Sequence, residues 1–338
     1  MLRSDGGCAY PVVDGIPILL VPEQLFAPDR AQEAEMSHPR YAEAYGAMDH
    51  YDAVASRHAH DVSKAPAMAR SLVRTARATR GQQASFPDPP RLWLDAVYDC
   101  TAQWDAYRHI AATRHGRVLQ LGGKGSHALK LLQAGASEAW LVSPMIGELV
   151  FAREAARKLG LEDRLRCVAG IAEEMPFADE SFDAIYSPSS VHHMVTALAF
   201  PECRRTLRPG GRFASPEIWR APLYGVGTKV FGKRDPGSSC QPLTQAAIAP
   251  LFAAFEEATV VHHGTLLRYP LIALRKLGLR LRLSTVWRLL RLDDAISSAL
   301  FLRRFGSSVA VLATRTAPGE PAPPSGVAGT QLSGGPAR

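Results

Sequence analysis

Arg117-Val118-Leu119-Gln120-Leu121-Gly122-Gly123-Lys124-Gly125-Ser126 is the stretch on which the fold turns. A short apolar run that ends in glycines and leads into helical spacing over 126–134 reads as a buried strand, a tight turn and a helix. The same rhythm continues downstream. Ala139-Trp140-Leu141-Val142 is a second strand, followed by a helix over 148–159 that Gly160 stops. Leu165–Ala169 is a third strand and Phe182–Tyr186 a fourth. A helix over 195–206 is closed by Leu207-Arg208-Pro209-Gly210-Gly211, Arg212-Phe213-Ala214 begins a fifth strand, and 307–314 returns as the last. Strands alternating with helices of this length predict a doubly wound, mostly parallel sheet covered on both faces. Such sheets bind ligands beyond the carboxyl ends of their strands, which directs attention to the glycine turn.

Glycines there let backbone approach a ligand and leave helix N–H groups pointing outward, although glycine is also the ordinary turn residue. Three further motifs follow in order. They are Gly170-Ile171-Ala172-Glu173-Glu174-Met175-Pro176-Phe177-Ala178-Asp179-Glu180-Ser181-Phe182-Asp183, then Val191-His192-His193-Met194, then Leu207-Arg208-Pro209-Gly210-Gly211. With these the sequence resembles the class I S-adenosylmethionine-dependent methyltransferases, in their small-molecule, type 11-like branch. The resemblance covers roughly 115–265 and the last strand. It implies a seven-stranded sheet, S-adenosyl-L-methionine as cofactor, and methyl transfer to a small, apolar or amphiphilic metabolite. Carried over position by position, it implies cofactor contacts at Gln120, Gly122, Gly123, Gly125, Ser143, Pro144, Met145, Ile171, Ala172 and Ser187.

The chain departs from the family pattern where that pattern has acids. Gln120, Ser143 and Ile171 stand at the three acidic positions, and Lys124 and Ser126 replace two expected glycines. A carboxylate holds a hydroxyl through a charge-assisted bond of ~1.5–3 kcal/mol, more than a neutral acceptor provides. Gln120 and Ser143 still offer oxygen; Ile171 offers only packing. This leaves open a protein of the same fold that no longer methylates, such as a cyclase, a binding protein or a regulatory subunit.

His192 and His193 follow the fourth strand, at the mouth of such a site, and are the candidate catalytic residues. A neutral imidazole there can take a proton from a substrate hydroxyl or amine, the alternative being a buried structural histidine. Glu217, after the fifth strand, is a second mouth-facing candidate or a solvated or salt-bridged carboxylate. His58, His60, His262 and His263 lack the further ligands a metal needs and read as surface or core residues. Residues Tyr10 to Leu20 resemble the second half of a zinc-ribbon-like segment, with Asp14-Gly15 as a tight turn, but only Cys8 remains of its ligands. One thiol cannot hold zinc, so no metal is expected and the turn is assigned to packing or a dimer contact.

The five cysteines are scattered without a CxxC pair, as in a reducing compartment, and the first residues carry no basic-then-apolar signal. A cytoplasmic location follows as the expectation. A hydrophobic share of 46% with 21% charged residues excludes a wholly disordered chain, and no apolar run approaches the ~20 residues of a membrane span. The organisation reads as a degenerate ribbon-like segment (1–25), a helical extension (26–116), the methyltransferase-like domain (117–316, with a helical insertion at 265–305) and a disordered tail (317–338). Tyr98, Trp104 and Tyr107, just before the first strand, either wall the pocket or join the core.

The net charge of +7 is concentrated: ten Arg and Lys lie between 264 and 315, against Asp293 and Asp294 alone. Leu279, Leu283, Val286, Trp287 and Leu290 fall on one helical face, with Arg280, Arg288 and Arg291 on another. Packing on the sheet ranks first for this segment, a lid over substrate second, a membrane-surface helix with weak vesicle binding third. RNA methylation is a further reading. No Asn-Pro-Pro-Tyr-type motif or aromatic-basic RNA module supports it, so a small molecule and no nucleic acid is the expected partner. Oligomeric state is not legible.

Overall fold

The computed structural model describes residues 2–3, 9–20, 72, 75, 85–222, 224 and 241–317. Cys8, His58, His60, the tail from 318 and much of the 26–116 extension therefore lie outside the described residues. The chain opens with β1 (Leu2–Arg3) paired to β2 (Ala9–Tyr10), then a small hairpin of β3 (Val12–Val13) and β4 (Ile16–Pro17). Asp14 and Gly15 turn this hairpin with φ of 48° and 74°, a turn with both central residues left-handed, as Asp-Gly predicts. Past the hairpin the chain touches the main sheet: Ile18 pairs with Ala169, and the Leu19 N–H donates to the Ala169 carbonyl at 2.8 Å.

Helices α1 (Pro90–Trp93) and α2 (Cys100–Ile110) lead into the main sheet. Then follow β5 (Arg117–Leu121), α3 (Ser126–Gln133), β6 (Glu138–Ser143), α4 (Ile146–Leu159), β7 (Leu165–Ala169), β8 (Phe182–Tyr186) and α5 (Thr196–Thr206). The last elements are β9 (Leu207–Ile218), α6 (Gln245–Ala254), β10 (Glu257–His263), α7 (Arg268–Lys276), α8 (Leu283–Ala299) and β11 (Ser308–Thr314). Strand order across the sheet is β10-β11-β9-β8-β5-β6-β7, and β11 alone runs antiparallel to its neighbours. This is the doubly wound, mostly parallel seven-stranded sheet expected from the sequence. Helices α2, α3 and α4 pack their buried residues into one apolar layer, while α5 and α6 join the other.

Two details depart from the sequence reading. Leu207-Arg208-Pro209-Gly210-Gly211 opens β9 instead of closing a helix. Leu207 faces Phe182 but Arg212 faces Ala184, so the intervening residues bulge out, with Gly210 at φ 78°. The strand β10 was not anticipated, because its residues are mostly half-buried and carry no continuous apolar run.

The 265–305 insertion packs, as ranked first. Val286 and Leu290 are buried, Leu283 and Trp287 rest on the core, and Trp287 stacks on Trp104 with ring centroids 5.6 Å apart. Leu279 is the exception: it sits in the link between α7 and α8 and is 58% exposed.

His263 ends β10 as a buried residue held by two acids. Its Nδ1 lies 2.8 Å from Asp294 of α8 and its Nε2 3.1 Å from Asp105 of α2. Burial alone would lower its pKa, but the two carboxylates outweigh burial and raise it. A raised folded-state value means stability that is complete below the ordinary histidine pKa of about 6.5 and is lost as pH climbs through the raised value. The melting-temperature gap between the protein and His263→Gln should therefore be widest near pH 6 and narrow toward pH 9. A gap that widens with pH would contradict this arrangement.

Candidate functional site

The carboxyl ends of β5, β6, β7 and β8 surround a cleft that encloses about 840 Å³, counting its open mouth. Leu121, Gly122 and Gly123 form one wall, and Val142, Ser143, Pro144, Met145 and Glu148 a second. Gly170, Ile171, Ala172 and Glu173 lie beneath, with Pro188, Ser189, Ser190, His193 and Met194 opposite. A cleft at this position, beyond the carboxyl ends of parallel strands, suits a small organic ligand.

The glycine turn is shaped for close approach. Gly122 has φ 74°, and a Cβ there would come within 2.5 Å of Ser190 Oγ. Gly123 has φ 70°, and its Cβ would press on Pro188 at 3.3 Å. Gly125 serves a different purpose. Its Cβ would meet Ala152 at 2.6 Å and Leu141 at 3.0 Å, so it lets α3 pack against α4 and does not line the cleft. Gln120 is likewise absent from the lining. Its Oε1 accepts from the Ala128 N–H and its Nε2 donates to the Gly122 carbonyl, both at 2.7 Å, which pins the turn to α3. Ser187 is fully buried under β9 and off the wall, its N–H donating to the Ala214 carbonyl at 3.0 Å. Of these three expected cofactor contacts, Gln120 is bonded within the chain and Gly125 makes room for α4, while the Ser187 Oγ is buried with no hydrogen-bond partner among the described residues. Gly122, Gly123, Ser143, Pro144, Met145, Ile171 and Ala172 do line the cleft.

Beyond Leu121, Val142 and Gly170, the lining groups that the sequence reading did not assign to the site are Glu148, Glu173, the Pro188-Ser189-Ser190 turn and Met194. Glu148 matters most. It sits in the first turn of α4, and its Oε2 lies 3.4 Å from Ser143 Oγ, which also accepts from the Met145 N–H at 3.2 Å. A carboxylate therefore stands beside the end of β6 although β6 itself ends in serine. The signal available in the sequence was an acid one helical turn beyond the strand end. Glu173 is 7% exposed and its Oε1 accepts from the Val195 N–H at 2.7 Å, bracing the floor against the start of α5.

The two histidines differ in placement. His193 lines the cleft, whereas His192 lies behind it, with ring centroids 4.2 Å apart. His192 Nδ1 is 2.6 Å from Glu217 Oε2, with side chains 6% and 0% exposed. Glu217 Oε1 also accepts from the Val191 N–H at 2.9 Å and lies 2.7 Å from Ser215 Oγ. Glu217 is accordingly a buried, fully engaged carboxylate and not a solvated one at the mouth. The contact through Nδ1 fixes the orientation of the His192 ring.

Tyr98, Trp104 and Tyr107 do not wall the cleft. Tyr107 is buried against His127 and Tyr186, its hydroxyl 2.5 Å from His127 Nδ1, and burial pushes the His127 pKa down to about 4. Trp287 does not reach the cleft either, so the lid reading of α8 has no contact to support it. Among the described residues no cluster of His, Cys, Asp or Glu could hold a metal.

A family described as "Methyltransferase domain" matches residues 119–215, the part of the chain that builds this cleft. The ubiquinone/menaquinone biosynthesis C-methyltransferase of Dinoroseobacter shibae is 34% identical over 40% of this chain and 52% of its own length. The methyltransferase GfsG of Streptomyces halstedii is 33% identical over 43% of this chain and 53% of its own. The chain thus spans about half the length of these curated relatives. A solved geranyl diphosphate methyltransferase with GPP and sinefungin is 22% identical over 64% of this chain and 78% of its own, with a TM-score of 0.47. The methyltransferase-domain likeness thus falls on the residues that line the cleft.

Proposed function

We propose that this domain binds S-adenosylmethionine in the β5–β8 cleft and transfers its methyl group to a small, apolar or amphiphilic acceptor. The carrying observation is the pairing of the left-handed Gly122-Gly123 turn with Glu148 across one cleft. Glu148 answers the missing acid at the end of β6, which otherwise favours a protein that has ceased to methylate. When bound, the donor supplies a methyl group on a positively charged sulfur. Backbone at Gly122 and Gly123 would hold its amino-acid end, where side chains are sterically excluded. Glu148 and Ser143 would accept from the ribose hydroxyls, and Val142, Ile171 and Ala172 would pack against the flat base. Methyl displacement needs alignment and removal of one acceptor proton. His193, on the cleft wall, is assigned the proton; His192 and Glu217 position it from behind. The acceptor class draws on the apolar half of the lining and on a relative named for ubiquinone and menaquinone biosynthesis. As domains we assign 117–316 to catalysis, with 1–25 and 26–116 as extensions.

Calorimetric titration with S-adenosylhomocysteine tests the reading directly. Glu148→Gln should weaken binding by about 10- to 100-fold, the worth of a charge-assisted bond of ~1.5–3 kcal/mol. His193→Asn should leave that affinity unchanged, because its partner is the acceptor. No heat of binding in the unmodified protein would overturn the assignment.

A further inference from the structure

The outer surface of 264–305 has no part in the cleft, yet it is the least ordinary surface of the described chain. Of the twelve large apolar side chains exposed among the described residues, nine fall between Leu266 and Phe305. Leu277 and Leu279, in the link before α8, are 78% and 58% exposed. Leu292 and Ile296 line the outer face of α8, and Leu300 and Phe301 end it at 58% and 86%. Phe301 also has φ 57°, a left-handed conformation that costs an L-residue roughly 1–2 kcal/mol. Neither burial nor local geometry explains a phenylalanine there.

The charges on this surface have a single sign. Arg275, Arg280, Arg282, Arg288, Arg291 and Arg304 are exposed, interleaved with those apolar residues. The segment's two acids both turn inward. Asp293 is fully buried and accepts from the Leu266 and Leu267 N–H groups and the Ser297 hydroxyl. Asp294 is spent on His263. The helix α8 therefore buries its acids and displays arginine and hydrocarbon, with Ser284 and Ser298 as its other exposed polar residues.

We propose that this face docks on an anionic lipid bilayer, with α8 lying in the plane of the surface. Exposed apolar side chains enter the boundary between headgroups and acyl chains, while arginines pair with lipid phosphates. A second copy of the chain fits poorly, because a two-fold contact sets the same arginines against each other. Nucleic acid would use the arginines but leaves Leu300 and Phe301 without a role. None of the described helices is long and apolar enough to cross a membrane, so the contact is peripheral. The inference is independent of what the cleft binds.

Flotation of the full chain with phosphatidylcholine vesicles, alone or mixed with phosphatidylglycerol, tests it. Binding is expected only to the mixed vesicles, with release as salt rises. Each arginine removed should lower the partition coefficient about fivefold, so Arg288→Gln with Arg291→Gln should lower it roughly 25-fold. Phe301→Asn should cut partitioning at least about tenfold without lowering the melting temperature, since Asn tolerates the left-handed backbone. Binding to neither vesicle, or equally to both, would overturn the proposal. So would a dimer that Phe301→Asn dissociates, or RNA retention lost in the arginine variants without any vesicle binding.

Discussion

Gly122→Val should lower affinity for S-adenosylhomocysteine by at least about 100-fold, or ~2.7 kcal/mol, while leaving most of the fold in place. Two effects add. The residue has φ 74°, which a β-branched side chain tolerates poorly, and its Cβ would stand 2.5 Å from Ser190 Oγ and 2.8 Å from Ser190 Cβ. Ser190 must yield toward the cleft it helps to line, so the turn and the opposite wall both lose their shape. Gly160→Ala is the control. It too is left-handed, with φ 65°, but nothing lies within 4 Å of its Cβ and it caps α4 away from the cleft. That variant should cost about 1 kcal/mol of stability and no affinity. Equal affinity losses in the two variants would mean that the turn acts through general stability, not through contact.

The second large effect concerns a buried cation in the last turn of α3. Lys130 of α3 has a fully buried side chain, with Nζ 2.8 Å from the Trp93 carbonyl and 2.5 Å from Asp95 Oδ2. Asp95 is held in turn by Gln103, whose Nε2 donates at 2.7 Å. Burial would raise the Asp95 pKa, but Lys130 above all draws it far below the carboxylate range. Removing the counterion of a buried charge costs about 3–5 kcal/mol. Because the Asp95 side chain keeps 33% of its surface in water, the low end applies, and Asp95→Ala should cost roughly 3 kcal/mol. A melting-temperature loss of about 5–10 °C would record it. Adding Lys130→Met should restore most of the loss, since an apolar side chain of similar length needs no partner. If the double variant melts no higher than Asp95→Ala, the ion pair is not what the site contributes.

Much of the sheet was legible because parallel strands buried on both faces must be nearly continuous apolar runs, as at Leu165–Ala169 and Phe182–Tyr186. The edge strand β10 obeys no such rule, and the sequence concealed it. The cleft was legible where backbone shape decides, at Gly122 and Gly123. It was less legible where contacts within the fold decide which residues face the cleft. Gln120 and Gly125 look like ligand contacts along the chain, yet both lie off the lining: Gln120 bonds Ala128 and Gly122 within its own turn, and Gly125 leaves room for Ala152 and Leu141, which only folding brings close. Glu148 was invisible for the reverse reason. Its carboxylate reaches the end of β6 from a helix, so the strand's own last residue gives no hint of it. The clamp of Asp105 and Asp294 on His263 joins three elements far apart in sequence, and no local pattern encodes such a meeting.

The contact of Ile18 and Leu19 with Ala169 has a consequence for the molecule's behaviour in company. A bare outermost strand is a template on which any passing extended chain can polymerise. Here the stub that follows the hairpin bridges to the last residue of β7, Ala169, and blocks that end of the edge, a stopper drawn from the same polypeptide. Ala169 also immediately precedes Gly170, where the floor of the cleft begins. The segment that blocks this end of the edge thus also braces the margin beside which a ligand would settle.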